Sequence, residues 1–181
     1  MTTPDTGDPA NARAPDAGSR STGRTAAIGS AITAYAILDA YTLGIAAFLL
    51  AAYTNALAVF LVVLAIQLVI NLAAGSWIDR SWEVWSAAGI GQRFEARLRK
   101  VREGRTGARI VGLIERGSDL GFAVAAALAN AVVVIGLARV LSGKPLGRQR
   151  VVAAAVGYSV FFAAIFAILG WAFRDFIVNN L

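Results

Sequence analysis

Four long apolar runs divide the chain, and each is about as long as the 20 or so helical residues that cross a lipid bilayer. The runs cover residues 26–52, 56–78, 120–138 and 151–173. One charged residue interrupts them, Asp39 in the middle of the first run. The pattern predicts an all-α membrane protein whose four transmembrane helices form a bundle.

The polar segments between the runs predict how the chain is organised. Residues 1–25 have no apolar periodicity, which predicts a disordered cytoplasmic tail. Only three residues separate the first two runs, so 26–78 is predicted to form one transmembrane hairpin. Residues 79–119 are predicted to form a basic cytoplasmic loop. Residues 120–181 are predicted to form a second hairpin that ends in a short cytoplasmic C-terminus.

The basic loop contains an amphipathic pattern at about residues 92–103. Phe94, Leu98 and Val101 are spaced i, i+4 and i+7, as on one face of a helix. The basic residues around this stripe are Arg93, Arg97, Arg99, Lys100 and Arg102. Such a helix either rests on anionic lipid headgroups or docks a protein partner, and the sequence leaves both alternatives open.

Composition narrows the chemistry that we expect. The chain is 57% hydrophobic and carries a net charge of +6. We expect its positive charge to meet anionic lipid headgroups and not nucleic acid, because no nucleic-acid-binding module is recognisable. The chain has no cysteine and no histidine, which excludes disulfides, thiolate zinc sites and the usual imidazole acid–base chemistry. We therefore expect no enzyme activity, no metal and no cofactor.

The distribution of arginine and lysine predicts the orientation in the membrane. With the N-terminus inside, the cytoplasmic segments hold three basic residues in the tail, nine in the basic loop, and Arg174. The outside then holds four, namely Arg139, Lys144, Arg148 and Arg150. Positive charge favours the cytoplasmic side. The count predicts a multi-pass protein of the inner (cell) membrane with both termini in the cytoplasm.

Three polar residues lie near the middle of three different runs and predict a buried polar layer. They are Asp39, Gln67 and Asn130. One interpretation is a proton or cation relay, because an ionisable residue inside the membrane is usually functional. The other is interhelical hydrogen bonding, in which a protonated Asp39 donates to Gln67 or Asn130, worth about 0.6 and up to ~2 kcal/mol per bond. We favour the second, since a relay usually has more than one ionisable group at depth.

Small residues recur at every fourth position in two places. In the first run these residues are Ala36, Ala40 and Gly44. Around the third run they are Gly117, Gly121, Ala125 and Ala129, and this ridge begins with a GxxxG pattern. Such ridges allow helices to approach closely in lipid. Both are predicted to mediate helix packing, within one chain or between copies in a homo-oligomer.

These observations lead to one main hypothesis for function and two alternatives. The main hypothesis is a non-enzymatic membrane protein that anchors or regulates a cytoplasmic or membrane partner through the basic loop, such as a phage-exclusion or accessory factor. The first alternative is a small oligomeric proton or cation channel or transporter that uses Asp39. The second is a structural subunit of a larger membrane complex.

Overall fold

A computed structural model of the protein describes residues 30, 33–39, 41, 44, 47–87 and 89–180. Within these residues the regular structure is helical and contains no strand, which confirms the all-α class. The predicted disordered tail and Ala40 lie outside the described residues.

Residues 33–39 are helical, and the remaining helices of the described chain are labelled here in order. They are α1 (Ala47–Tyr53), α2 (Ala56–Arg80), α3 (Trp82–Ala87), α4 (Ile90–Glu103), α5 (Arg105–Glu115), α6 (Asp119–Ala129), α7 (Ala131–Ser142), α8 (Arg148–Ala172) and α9 (Arg174–Asn180).

Two helices, α2 and α8, form the centre of the fold. Each has 25 residues, and in the described chain these are the two helices long and apolar enough to cross a membrane. They are antiparallel neighbours. Gly75 near the end of α2 lies against Val151 near the start of α8, while Gly170 near the end of α8 lies against Ala51 of α1. The second and fourth apolar runs therefore form helices of membrane-spanning length.

The third apolar run does not form one helix, so the predicted continuous third span is wrong. It is split into α6 and α7, of 11 and 12 residues. The break is at Asn130, which has a φ of 88° and a ψ of 139°. Its side-chain oxygen accepts the N–H of Val132 at 2.9 Å and so caps α7. Asparagine suits this position because it tolerates positive φ and is a preferred N-cap residue.

α7 runs back alongside α6, so the third run begins and ends at the same end of the fold. Arg139, near the end of α7, places its Nε atom 3.4 Å from Oδ1 of Asp79 at the end of α2. Gly117, just before α6, lies beside the guanidinium of Arg150 near the start of α8. Both ends of the α6–α7 pair therefore lie where α2 ends and α8 begins, which we call the loop end. The opposite end, where α1 joins α2 and α8 ends, is the far end.

This arrangement corrects the predicted placement of the two polar segments. The prediction put residues 79–119 and residues 139–150 on opposite sides of the bundle. The N–H of Leu146 donates to Asp79 Oδ1 at 3.0 Å, so the two segments touch at the loop end. The cause is the break at Asn130, since a continuous third helix would have carried Arg139 to the far end.

The basic loop folds into helices that pack on the rest of the protein. The predicted amphipathic helix lies within α4, which contacts α5 and α7. Ile110, Val111 and Ile114 of α5 are buried in the main core, together with Trp85 and Phe122. Because α5 inserts its apolar face into the core, the segment is a fixed part of the fold and not a loop lying apart from it.

The predicted small-residue ridge around the third run is shorter than expected. Gly121 and Ala125 are buried on α6, and Ala129 is its half-buried last residue. Gly117 lies outside the helix, with a φ of 67°, in the turn between α5 and α6. A glycine at the end of a helix commonly takes this left-handed conformation, so its role there is to terminate α5.

The first ridge is only partly described, and a glycine outside both ridges makes the closest approach. Ala36 is exposed on the 33–39 helix, and Gly44 is half-buried. On α8, a Cβ atom at Gly157 would overlap the backbone of Ala123 on α6. Contact between α6 and α8 therefore depends on Gly157, which the spacing pattern did not reveal.

Candidate functional site

A cluster of hydrogen-bonded polar side chains lies at mid-length between α2 and α8. Gln67 and Asn71 on α2 and Ser159 on α8 are all fully buried. Asn71 Nδ2 donates to Gln67 Oε1 at 2.9 Å and to the Gln67 backbone oxygen at 2.8 Å. Ser159 Oγ lies 3.5 Å from the same nitrogen. The four-residue spacing places Gln67 and Asn71 on one face of α2.

Tyr35 connects this cluster to the helix break. Its hydroxyl donates to Asn71 Oδ1 at 2.8 Å and accepts from Asn130 Nδ2 at 3.2 Å. The predicted layer residues Gln67 and Asn130 thus belong to one network, but Tyr35 and Asn71 lie between them. Both connecting residues could have been identified from the sequence by helical spacing. Tyr35 lies four residues before Asp39, and Asn71 lies four residues after Gln67.

Asp39 has a different partner from the one predicted. We expected it to bond to Gln67 or Asn130, yet its Oδ2 accepts the hydroxyl of Tyr158 on α8 at 2.8 Å. Its second oxygen, Oδ1, is buried and has no hydrogen-bond partner in the described chain. Tyr158 and Asn130 both line a recess of about 410 Å³, so the carboxylate lies close to the break.

The cluster leaves one donor and one acceptor unused among the described residues. The acceptor is Asp39 Oδ1, and the donor is Gln67 Nε2. A buried polar atom without a hydrogen bond costs roughly 1–3 kcal/mol in proteins. Asp39 Oδ1 and Gln67 Nε2 can therefore each still form one more hydrogen bond.

A second charged site fixes the loop end. Arg139 is 5% exposed, and its Nε atom faces the carboxylate of Asp79. The guanidinium carbon lies 5.8 Å from the centroid of the Trp82 ring, within the range of a cation–π contact. Asp79 Oδ1 accepts the N–H of Leu146 and is paired by charge with Arg139, whose Nε and Nη1 atoms make no hydrogen bond in the described chain. Sequence reasoning missed this pair because it placed the two residues at opposite ends.

The predicted lipid- or partner-binding residues all lie exposed on α4. They are Arg93, Arg97, Arg99, Lys100 and Arg102. Arg102 pairs with Glu115 of α5 at 2.5 Å, and both side chains are about half exposed. Such a surface ion pair contributes little to stability. The other four make no ion pair within the described part of the chain, so their charge faces outward.

Comparison with known proteins gives no further guide to the site. No protein family, curated protein or solved structure matches the chain. In the described ranges, no group of three or more Asp or Glu side chains is arranged so that it could hold a metal ion. The function is therefore argued from the geometry of the polar cluster and of the charged loop end.

The polar cluster predicts a measurable difference between two tyrosines. Tyr35→Phe removes the hydroxyl that joins Asn71 to Asn130, and we expect the free energy of unfolding to fall by about 0.6 to ~2 kcal/mol. The matched control is Tyr53→Phe, because Tyr53 is 81% exposed at the far end. Reversible unfolding in mixed detergent micelles measures both. Equal stability of the two variants would contradict the network.

Proposed function

We propose that the chain is a non-enzymatic integral membrane protein that acts by association, anchoring or regulating a cytoplasmic or membrane partner through the basic residues of α4. The observation that supports this most strongly is the gathering of positive charge. In the described chain, every basic residue except Arg174 lies either at the loop end itself or in a segment whose two ends are both at the loop end.

The proposed topology has three membrane crossings and one re-entrant pair of helices. The first apolar run, α2 and α8 cross, while α6 and α7 enter from the loop end and return to it. Positive charge marks the cytoplasmic side, so the loop end faces the cytoplasm. Arg174 is then the one basic residue placed outside, whereas the four-span arrangement leaves four there. In this topology the C-terminal helix α9, which contacts α1 at the far end, lies outside.

The burial of α5 supports the role of α4 as a docking surface. Ile110, Val111 and Ile114 attach the α4–α5 segment to the core, and Val101 of α4 is partly buried against the same core. The cations of α4 are therefore presented from a fixed helix, which lowers the ordering cost of binding a partner. An acidic protein surface at the membrane is the partner that matches this charge.

The association predicts that charge on α4 matters more than charge on α5. We expect Arg97→Gln, Arg99→Gln and Lys100→Gln together to reduce crosslinking to the partner in native membranes by roughly tenfold or more. The control removes the same charge from exposed arginines of α5 and its C-cap, namely Arg105, Arg109 and Arg116. Mass spectrometry of the crosslinked proteins measures both.

The two outcomes are clearly separated. The association is supported if the α4 variant loses crosslinked proteins that the α5 variant keeps. An unchanged crosslinked set in the α4 variant, with normal membrane insertion, contradicts it.

A second candidate function is a small oligomeric proton or cation channel or transporter. The observation that favours it is the helix break at mid-depth, beside the carboxylate of Asp39. Transporters often place ion sites where helices are interrupted inside the membrane, because the broken helix ends supply backbone groups. Asp39 Oδ1 has no hydrogen-bond partner in the described chain and so remains available to a proton or a cation.

This candidate predicts that ion flux depends on Asp39. In proteoliposomes we expect Asp39→Asn to lower proton or monovalent-cation flux at least tenfold, roughly the effect of losing one charged contact. Asp119→Asn is the control, because Asp119 is exposed at the start of α6. If the parent protein does not conduct, or if Asp39→Asn conducts as well as the parent, the candidate is wrong.

A further inference from the structure

A recess of about 490 Å³ opens at the loop end between the last turns of α2 and the first turns of α8. Its polar lining comes from Ser76, Asp79 and Arg80 of α2 and from Arg148 of α8. None of these belongs to the polar cluster around Tyr35 or to the basic surface of α4. The recess shares Asp79 with the Asp79–Arg139 pair and is otherwise a separate feature of the loop end.

The lining changes from charged to apolar with depth. Arg80 and Arg148 lie at the loop end, whereas Leu72 lies eight residues earlier on α2 and Val152 four residues later on α8. At 1.5 Å per residue, these spacings place Leu72 about 12 Å and Val152 about 6 Å deeper along their helices. The recess therefore presents positive charge at the membrane surface and hydrocarbon below it.

The charge balance of the recess favours an anion. Asp79 is the one acidic residue in the lining, and it is already bound by Arg139 and by the N–H of Leu146. Arg80 and Arg148 are exposed and make no ion pair with any residue the structure describes. Guanidinium groups bind phosphate through paired N–H donors. Two unpaired guanidinium groups at one opening thus match a phosphate.

We propose that this recess binds an anionic phospholipid, with its phosphate between Arg80 and Arg148 and the first part of an acyl chain along Leu72 and Val152. The proposal rests on the membrane insertion in the proposed function but not on partner binding by α4. A lipid fits better than a soluble phosphate because a soluble ion would leave the apolar half of the recess unfilled. The site would tie α2 to α8 at the loop end.

Native mass spectrometry of the full chain in detergent tests this directly. The protein is titrated with phosphatidylglycerol, with phosphatidylcholine as the zwitterionic comparison. We expect phosphatidylglycerol to bind preferentially to the parent, and Arg80→Gln with Arg148→Gln to bind it roughly tenfold more weakly. The control, Arg105→Gln with Arg109→Gln on α5, removes the same charge from exposed residues outside both proposed binding surfaces and should bind like the parent.

Two further arms separate a lipid from a soluble anion. Val152→Trp keeps both arginines but fills the apolar part of the recess, and the exposure of Val152 leaves room for the larger ring. We expect it also to weaken phosphatidylglycerol binding roughly tenfold. Inorganic phosphate should not displace the lipid at matched concentration. Thermal unfolding confirms that each variant is folded before its binding is compared.

Several results would overturn the proposal. Equal weakening by the α5 control means that binding follows total charge and not this recess. Full binding by Val152→Trp, or displacement by inorganic phosphate, means that the occupant is a soluble anion. No preference for phosphatidylglycerol over phosphatidylcholine removes the role of charge. Failure of the proposed association would appear separately, as an unchanged set of crosslinked proteins in the α4 variant while lipid binding persists.

Discussion

The buried contact between Asp79 and Arg139 determines which ends of the helices meet. Arg139 is the buried partner of this ion pair, and removing Asp79 would leave its charge uncompensated at a cost of roughly 3–5 kcal/mol. Arg139 is 5% exposed, and the carboxylate that it faces also accepts the N–H of Leu146. With these atoms together, α7 must end beside α2. The return of α7 alongside α6, the common placement of both polar segments and the recess above Leu72 all depend on that contact.

The break at Asn130 makes this contact geometrically possible. A continuous helix from Asp119 to Arg139 would be about 30 Å long and would separate its two ends by the thickness of a membrane. Positive φ in a residue other than glycine costs on the order of 1–3 kcal/mol. The cap on Val132 and the hydrogen bond to Tyr35 offset this cost. The polar cluster therefore stabilises the break, and the break allows the ion pair.

The sequence predicted the parts of the fold that depend on composition alone. In lipid, a long uncharged run can satisfy its backbone only as a helix, so α2 and α8 were foreseeable. The break was not, because Asn130 has apolar neighbours on both sides and fits a continuous span equally well. Asp39, Gln67 and Asn130 do lie in one region, but their connections run through Tyr35, Asn71 and Tyr158. Which hydroxyl meets which amide depends on helix rotation and depth, and a single sequence does not contain these.

The separation between the two polar segments tests the central claim most directly, namely that α6 and α7 return to the loop end. The chain has no cysteine, so spin labels attached to Ser81→Cys and Lys144→Cys report one distance. Each position is two residues from one partner of the Asp79–Leu146 hydrogen bond. The Cα atoms should therefore lie within roughly 20 Å of each other, measured by double electron–electron resonance in liposomes. A separation of about 30 Å or more, the thickness of the hydrocarbon core, would contradict the account.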